Sequence, residues 1–207
     1  MGQKELGGAR QGLSPDVTQE GGGGAVCNCS PSPLFCILYN AKSCQETNME
    51  TVEEFLAHAV NLEQEAADRF GQLADAMEAC GNRQVGKLFR RLSDYSRLHL
   101  ADARARSGFR EIPKMKPGDF VWPGMESPET AAIWAADPFI GREEALEIAL
   151  DAETAGYQYY KGVFDTTSDP EIRALAKEFF EEEAGHVAEL QKWVAAHKAG
   201  QPLPVDQ

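Results

Sequence analysis

Glutamate and histidine recur on apolar helical stripes in two parts of this chain. In the first part a stripe carries Glu63 and a later helix carries His99, and in the second part Glu153 and His186 repeat the arrangement. Glu153 follows Glu63 by 90 residues, and His186 follows His99 by 87 residues. A repeat on this scale indicates a duplicated helical hairpin. Carboxylates and imidazoles that meet in the core of a helical bundle can hold two metal ions.

The second half gives the clearest evidence for a metal site. Glu153 lies in a stripe of small and aromatic residues, so its side chain points to the core, where an isolated carboxylate is costly. Glu183 and His186 are three residues apart and therefore share one face of their helix. Carboxylate and imidazole ligands together suit iron, manganese or zinc. The alternative is a set of ion pairs in the core, but the coincidence of the two halves favours metal.

Apolar spacing and capping signals predict four helices. Thr51 and Glu54 have the form of a capping box, and Asp169 before Pro170 is a strong helix start. Helix 1 is expected over about 51–80, helix 2 after a short turn near Gly81, helix 3 over about 142–166, and helix 4 over about 170–197. The short turns make each pair of helices an antiparallel hairpin.

A long connection containing five prolines, among them Pro113, Pro117, Pro123 and Pro128, lies between Gly108 and Gly141. A bundle with up-down-up-down topology needs only short loops, whereas a ferritin-like bundle needs one long connection between its second and third helices. The sequence therefore predicts an all-α, ferritin-like four-helix bundle with a long crossover between helices 2 and 3. We expect this domain to span residues 49–200, followed by a tail over 201–207.

Residues 1–48 differ from the remainder because they are rich in glycine, serine and proline and lack helical periodicity. They contain four cysteines, Cys27, Cys29, Cys36 and Cys44, whose spacing does not match the paired C-x-x-C of zinc sites. We interpret the segment as a disordered, low-complexity leader, and Met49 is an alternative start of the native product.

Composition excludes several classes of partner. The net charge of the chain is −13, which makes nucleic acids and anionic membranes poor partners. The sequence has no apolar run near the roughly 20 residues that span a bilayer. We therefore expect a soluble, cytoplasmic protein.

Three of the four helices match a known motif pattern. The matching residues are Glu63, Ala66 and Phe70 on helix 1, Glu153, Gly156 and Tyr160 on helix 3, and Glu183 and His186 on helix 4. Over about residues 51–198 the chain resembles the rubrerythrin-type branch of the ferritin-like di-iron carboxylate proteins. In that family a glutamate helix carries E-x-x-A-x-x-x-[FY], and its partner helix carries E-x-x-H.

The resemblance implies specific roles for these residues. Glu63 and Glu153 would be terminal ligands of two iron ions, His99 and His186 would be imidazole ligands, and Glu183 would bridge the ions. Helix 2 departs from the pattern, because Ser96 stands where the second bridging glutamate is expected. We therefore expect the ion at Glu63 and His99 to be bound more weakly than the other.

The catalytic residues beyond the metal site are not identified by the sequence. Tyr95 lies one turn before His99, and it and Tyr160 are the nearby candidates. His58 and Glu65 flank the stripe of Glu63, and we expect both at the surface.

Two functions of different classes follow from the resemblance. The first is a di-iron oxidoreductase that reduces peroxide or oxygen. It would need a separate electron-donor protein, because the chain has no rubredoxin-type pair of C-x-x-C motifs. The second is a non-catalytic or single-metal ferritin-like protein, which the serine at position 96 favours. In either case we expect a homo-oligomer such as a dimer.

Overall fold

The computed structural model describes residues 49–206 and contains two long helical hairpins in that range. The first hairpin consists of α1 (Val52–Ala79) and α2 (Arg83–Ser107). The second consists of α3 (Arg142–Thr166) and α4 (Pro170–Lys198). The two helices of each hairpin pack along their length, α2 also packs on α3, and α1 packs on α4. The predicted all-α bundle with a long crossover is confirmed.

Side chains and a glycine fix the ends of the helices where the sequence predicted. The Thr51 hydroxyl accepts a hydrogen bond from the Glu54 amide at 3.1 Å, and the Asp169 carboxylate accepts two from the first turn of α4. At the end of α1, Gly81 adopts φ +87°, and the Asn82 amide donates to the Met77 carbonyl at 2.9 Å. This is a Schellman turn, which suits glycine because the left-handed conformation strains other residues.

The apolar interior of the bundle forms two separate clusters. One contains Phe70, Phe89, Leu146, Leu190 and Trp193, among others. The other contains Phe55, Leu62, Tyr160, Ile172 and Phe179, among others. Along each helix the predicted metal-site residues fall between the members of the two clusters. The fold therefore encloses a polar layer between two apolar layers.

The crossover between α2 and α3 packs against α1 and α3. Arg69 of α1 donates to the Ala131 carbonyl at 3.0 Å, and the buried Ala131 and Ala135 join an apolar cluster. The later part of the crossover forms a single 3-10 turn over Ile133–Ala136.

His58 is fully buried, so its predicted surface position is wrong. Its Nδ1 lies 2.8 Å from the Glu54 carbonyl oxygen, and the Val121 amide donates to its Nε2 at 3.1 Å. The rings of Phe120 and Trp122 pack edge-on against the imidazole at 5.2 and 5.0 Å. The crossover therefore covers a histidine that would otherwise face solvent, and contacts with that histidine hold the crossover on α1.

The described residues contain no helix long and apolar enough to cross a membrane. The predicted leader over 1–48 and its four cysteines lie outside the described residues.

We predict that His58 makes stability sensitive to acid. Burial lowers the pKa of His58 below its usual value of 6.5, because it outweighs the hydrogen bond to Glu54. The unfolded chain then binds more protons, so the stabilisation is complete above about pH 6.5 and is lost as the pH falls toward the folded-state pKa. Replacing His58 by phenylalanine should cost about 1–2 kcal/mol at neutral pH, since the Val121 amide loses its acceptor.

Denaturant unfolding of the wild type and of His58→Phe over pH 5 to 8 measures this effect. The difference in free energy of unfolding between the two proteins should shrink as the pH falls. His197→Phe is a matched control, because His197 lies partly exposed in the last turn of α4. A difference that stays constant with pH would contradict the role of His58 as a neutral anchor.

Candidate metal centre

One group of three donors lies between α3 and α4. Nδ1 of His186 is 3.0 Å from Oε2 of Glu183 and 3.2 Å from Oε2 of Glu153. One ligand atom from each of these side chains lies within 4.8 Å of the other two. Because Glu183 and His186 are three residues apart on α4, the helix alone brings them to the same side.

A second group of three donors combines Glu63 of α1, Glu129 of the crossover and Glu183 of α4, and their ligand atoms also lie within 4.8 Å of one another. All three side chains are buried, with exposures of 1%, 4% and 1%. Oε2 of Glu63 and Oε1 of Glu129 are buried without a hydrogen-bond partner. Glu183 belongs to both groups, so its carboxylate lies between two possible cation positions.

His99 reaches the same layer from α2. Its ring stacks on that of His186, with centroids 4.1 Å apart and planes 5° apart. Its Nδ1 is 3.8 Å from Oε2 of Glu63, which is too long for a hydrogen bond. His99 belongs to neither group of three donors. The structure thus brings all five predicted ligands together, and their role as ligands stays a prediction.

Ser96 is buried on α2, and its hydroxyl group is used within that helix. Its hydroxyl donates to the Leu92 carbonyl at 3.2 Å, one turn back along α2. Such a bond to the preceding turn is the usual way for serine to satisfy its hydroxyl inside a helix. The position therefore offers the centre no charged group.

The two candidate tyrosines occupy different environments. Tyr160 is fully buried, stacks on Phe179 at 4.9 Å, and has a hydroxyl without a hydrogen-bond partner. Burial, followed by the charge of Glu63, raises the pKa of Tyr160 well above its usual value, so it stays a neutral phenol. Tyr95 is half-buried and carries the guanidinium of Arg91 over its ring at 4.7 Å.

The ionised forms of the buried carboxyl groups are unfavourable unless a cation or a proton compensates their charge. Burial, followed by the charges of Glu183 and Glu153, raises the pKa of Glu63 well above its usual value. Burial and then the charge of Glu63 do the same to the pKa of Glu129. Burial also raises the pKa of Glu183 to about 8, against the opposing hydrogen bond from His186. Like charges at close range disfavour the ionised form, and only a cation or protons can relieve this.

His186 supplies part of that relief. Burial alone would lower the pKa of His186, but its close contacts with the Glu153 and Glu183 carboxylates outweigh burial and raise the pKa to about 10. For Glu153 burial is likewise the largest single effect and raises the pKa, yet the close contact with His186 and the charge of that imidazole together lower it. His99 has no comparable partner, and burial followed by the charge of His186 lowers its pKa.

These residues fit metal ions. The donor set consists of carboxylates and imidazoles, which bind iron, manganese and zinc. Three of the carboxylate oxygens, one each from Glu63, Glu129 and Glu153, are buried and lack hydrogen-bond partners, which is unusual for native proteins unless an ion or water satisfies them. Two positive ions would compensate four buried carboxylates, whereas the only basic groups among the site residues are the two imidazoles.

A pocket of about 200 Å³ lies beside the centre. Its apolar part is lined by Leu92, Leu190 and Trp193, and its polar part by His99, Glu153 and His186. The side chains of His99 and His186 retain exposures of 20% and 23%, so this side of the centre is open to small molecules.

Sequence reasoning missed Glu129. The residue follows a proline in an irregular segment, where helical periodicity gives no information about burial. One signal was present in Gly156, which stands where the motif has alanine and whose missing side chain leaves room beside Glu129.

Comparisons with known proteins agree with this geometry. The rubrerythrin family model matches residues 54–194. A solved structure of an uncharacterized conserved protein from Magnetospirillum magnetotacticum is 37% identical with a TM-score of 0.53, covering 74% of this chain and 97% of that one. No curated protein matches the chain. Because the family model covers all four helices and well over half of the sequence, the chain belongs to the rubrerythrin family.

Proposed function

We propose that the polar layer binds two iron ions and that the protein is an oxidoreductase that reduces peroxide or oxygen. The observation that carries this proposal is Glu183, whose carboxylate is shared by two groups of three donors. A shared carboxylate can keep two ions close enough to act on one small substrate. Membership of the rubrerythrin family supports iron, while manganese and zinc suit the same ligands.

The residues of each half would hold one ion. Glu153, Glu183 and His186 would hold the first, and Glu63 with Glu183 would hold the second, with His99 close to Glu63. A reduced pair of iron ions, when bound, supplies two electrons to an oxidant.

The protein itself would position and shield that chemistry. The two apolar clusters exclude water from above and below the layer, which strengthens the electrostatic interactions within it. The pocket beside His99 and His186 admits a molecule of small volume on one side. Without metal, a proton on Nδ1 of His186 lies between the Glu153 and Glu183 carboxylates, and binding of the first ion at this position would release that proton.

Continued turnover would require electrons from outside this domain. We propose a separate electron-donor protein as the partner, because the described residues contain one cysteine, Cys80, and hence no second redox centre based on thiolates. A homo-oligomer such as a dimer stays a prediction.

A second candidate function is a metal-binding protein without turnover, or one with a single ion. The observation that favours it is Ser96, whose hydroxyl bonds to the Leu92 carbonyl and brings no charge to the centre. The two candidates differ in whether bound ferrous iron reacts with an oxidant.

We predict that Glu183 is required for both ions. Loss of a group that only supports a ligand typically costs about 10- to 100-fold in metal affinity. Glu183→Gln should lower the affinity for both ions by more than this, because it removes the shared ligand itself. Glu181→Gln is the matched control, since Glu181 lies on the same helix with 57% exposure and pairs with Lys177. Anaerobic titration with ferrous iron, followed by metal analysis, measures the effect. Unchanged binding in Glu183→Gln would contradict a shared site.

We also predict that bound ferrous iron reacts with peroxide. Stopped-flow absorbance after mixing the iron-loaded protein with hydrogen peroxide should show oxidation at least about 100-fold faster than for free ferrous iron, as positioned catalytic groups commonly provide. Glu181→Gln should react like the wild type, and Glu183→Gln should not. Tight binding of iron without accelerated oxidation would favour the non-catalytic candidate.

A further inference from the structure

We infer that Glu129 of the crossover is a metal ligand and supplies the ion at Glu63 with a carboxylate that α2 no longer provides at Ser96. This inference rests on the proposed metal centre, and it assigns a ligand from outside the four helices.

The first support is the state of the Glu129 side chain. The residue is 4% exposed, and its Oε1 is buried without a hydrogen-bond partner. One of its carboxylate oxygens lies within 4.8 Å of ligand atoms of Glu63 and Glu183. A carboxylate that is buried, unpaired and directed at two others is costly without a cation. A purely structural role would instead require a donor at this oxygen.

The second support is the space that α3 leaves for Glu129. A Cβ atom at Gly156 would lie 2.7 Å from Cδ and 2.8 Å from Cγ of Glu129, and closer still to Oε1. Glycine inside a helix costs about 1 kcal/mol relative to alanine. Gly156 has an ordinary helical position within α3, so its backbone does not require glycine. Glycine is needed here because the Glu129 carboxylate packs where a Cβ atom would lie.

The third support is the way the crossover is held on both sides of Glu129. Arg69 of α1 donates to the Ala131 carbonyl at 3.0 Å and lies 3.5 Å from the Glu126 carboxylate. Between them the Thr130 amide donates to the Ser127 carbonyl at 3.0 Å and closes a turn. These contacts fix the backbone so that Glu129 points inward. Arg69 is therefore a positioning residue.

With Glu129 as a ligand, each of the two ions would have three protein donors. The first ion would have two carboxylates and the imidazole of His186. The second would have three carboxylates, Glu63, Glu129 and Glu183, with His99 nearby. The weaker second ion that Ser96 predicts from sequence would then be strengthened by the crossover.

Anaerobic titration with ferrous iron in competition with a chelator, together with metal analysis, tests the inference. The wild type should bind two ions per chain. Glu129→Gln keeps the shape of the side chain and should retain the ion at Glu153 and His186, while the dissociation constant of the other rises at least about tenfold. Ser96→Ala is the matched control and should bind both ions as the wild type does, because its hydroxyl serves the Leu92 carbonyl.

Gly156→Ala gives an independent test. It leaves every proposed ligand in the sequence, yet the added methyl group should displace the Glu129 side chain. It should weaken the same ion, and adding it to Glu129→Gln should weaken that ion little further, since both changes remove one interaction. Its metal-free melting temperature should be no lower than that of the wild type, because alanine favours the helix. This readout separates loss of a ligand from loss of the fold.

The outcomes separate this inference from the proposed function. Two tightly bound ions in either Glu129→Gln or Gly156→Ala would overturn the assignment of Glu129 and leave the proposed function intact. Equal weakening of both ions in Glu129→Gln would also overturn it, because the carboxylate would then not belong to one ion. A wild type that binds no iron would overturn the proposed function and the inference together.

Discussion

Burial of several carboxylates in one layer is the constraint on which the rest of the structure depends. Glu63, Glu129 and Glu183 lie almost completely within the protein, and their mutual repulsion adds to the cost of removing each from water. Such a layer persists only if apolar packing on either side provides the folding free energy. The two apolar clusters meet this requirement, because each unites residues from both hairpins.

The duplicated pattern of the sequence gives a bundle whose two halves are not equivalent at the centre. On α4 the carboxylate and imidazole of the motif lie together, and His186 contacts both Glu183 and Glu153. On α2 the corresponding carboxylate is absent and His99 remains 3.8 Å from Glu63. The crossover, which belongs to neither hairpin, enters on the side of α1 and α3 and brings Glu129.

Helical periodicity and capping signals were sufficient to predict the four helices. α3 spans 142–166 as expected, α1 is one residue shorter than expected at each end, and α4 is one residue longer at its C-terminal end. Periodicity also identified the inward faces, so Glu63, Glu153 and Glu183 were found as core carboxylates. These successes share a cause, since a regular helix fixes which side chains point the same way.

The same reasoning failed for residues whose environment is made by the crossover. His58 lies at the edge of the apolar stripe of α1, and it is buried only because Phe120 and Trp122 fold over it. Glu129 lies in an irregular segment and is directed by contacts with Arg69, 60 residues earlier in the chain. Contacts between a loop and a distant helix leave no periodic trace in the sequence.

The shared position of Glu183 also has a consequence for the order in which the protein assembles. Each hairpin is local in sequence and can form early, because its helices are joined by a short turn. The groups around Glu183 come from α1, the crossover, α3 and α4, so they meet only after both hairpins and the crossover have docked. Before that step Glu63 and Glu129 remain apart from the pair that Glu153 and Glu183 form in the second hairpin. The final docking step thus joins two local hairpins into one domain that encloses these charges.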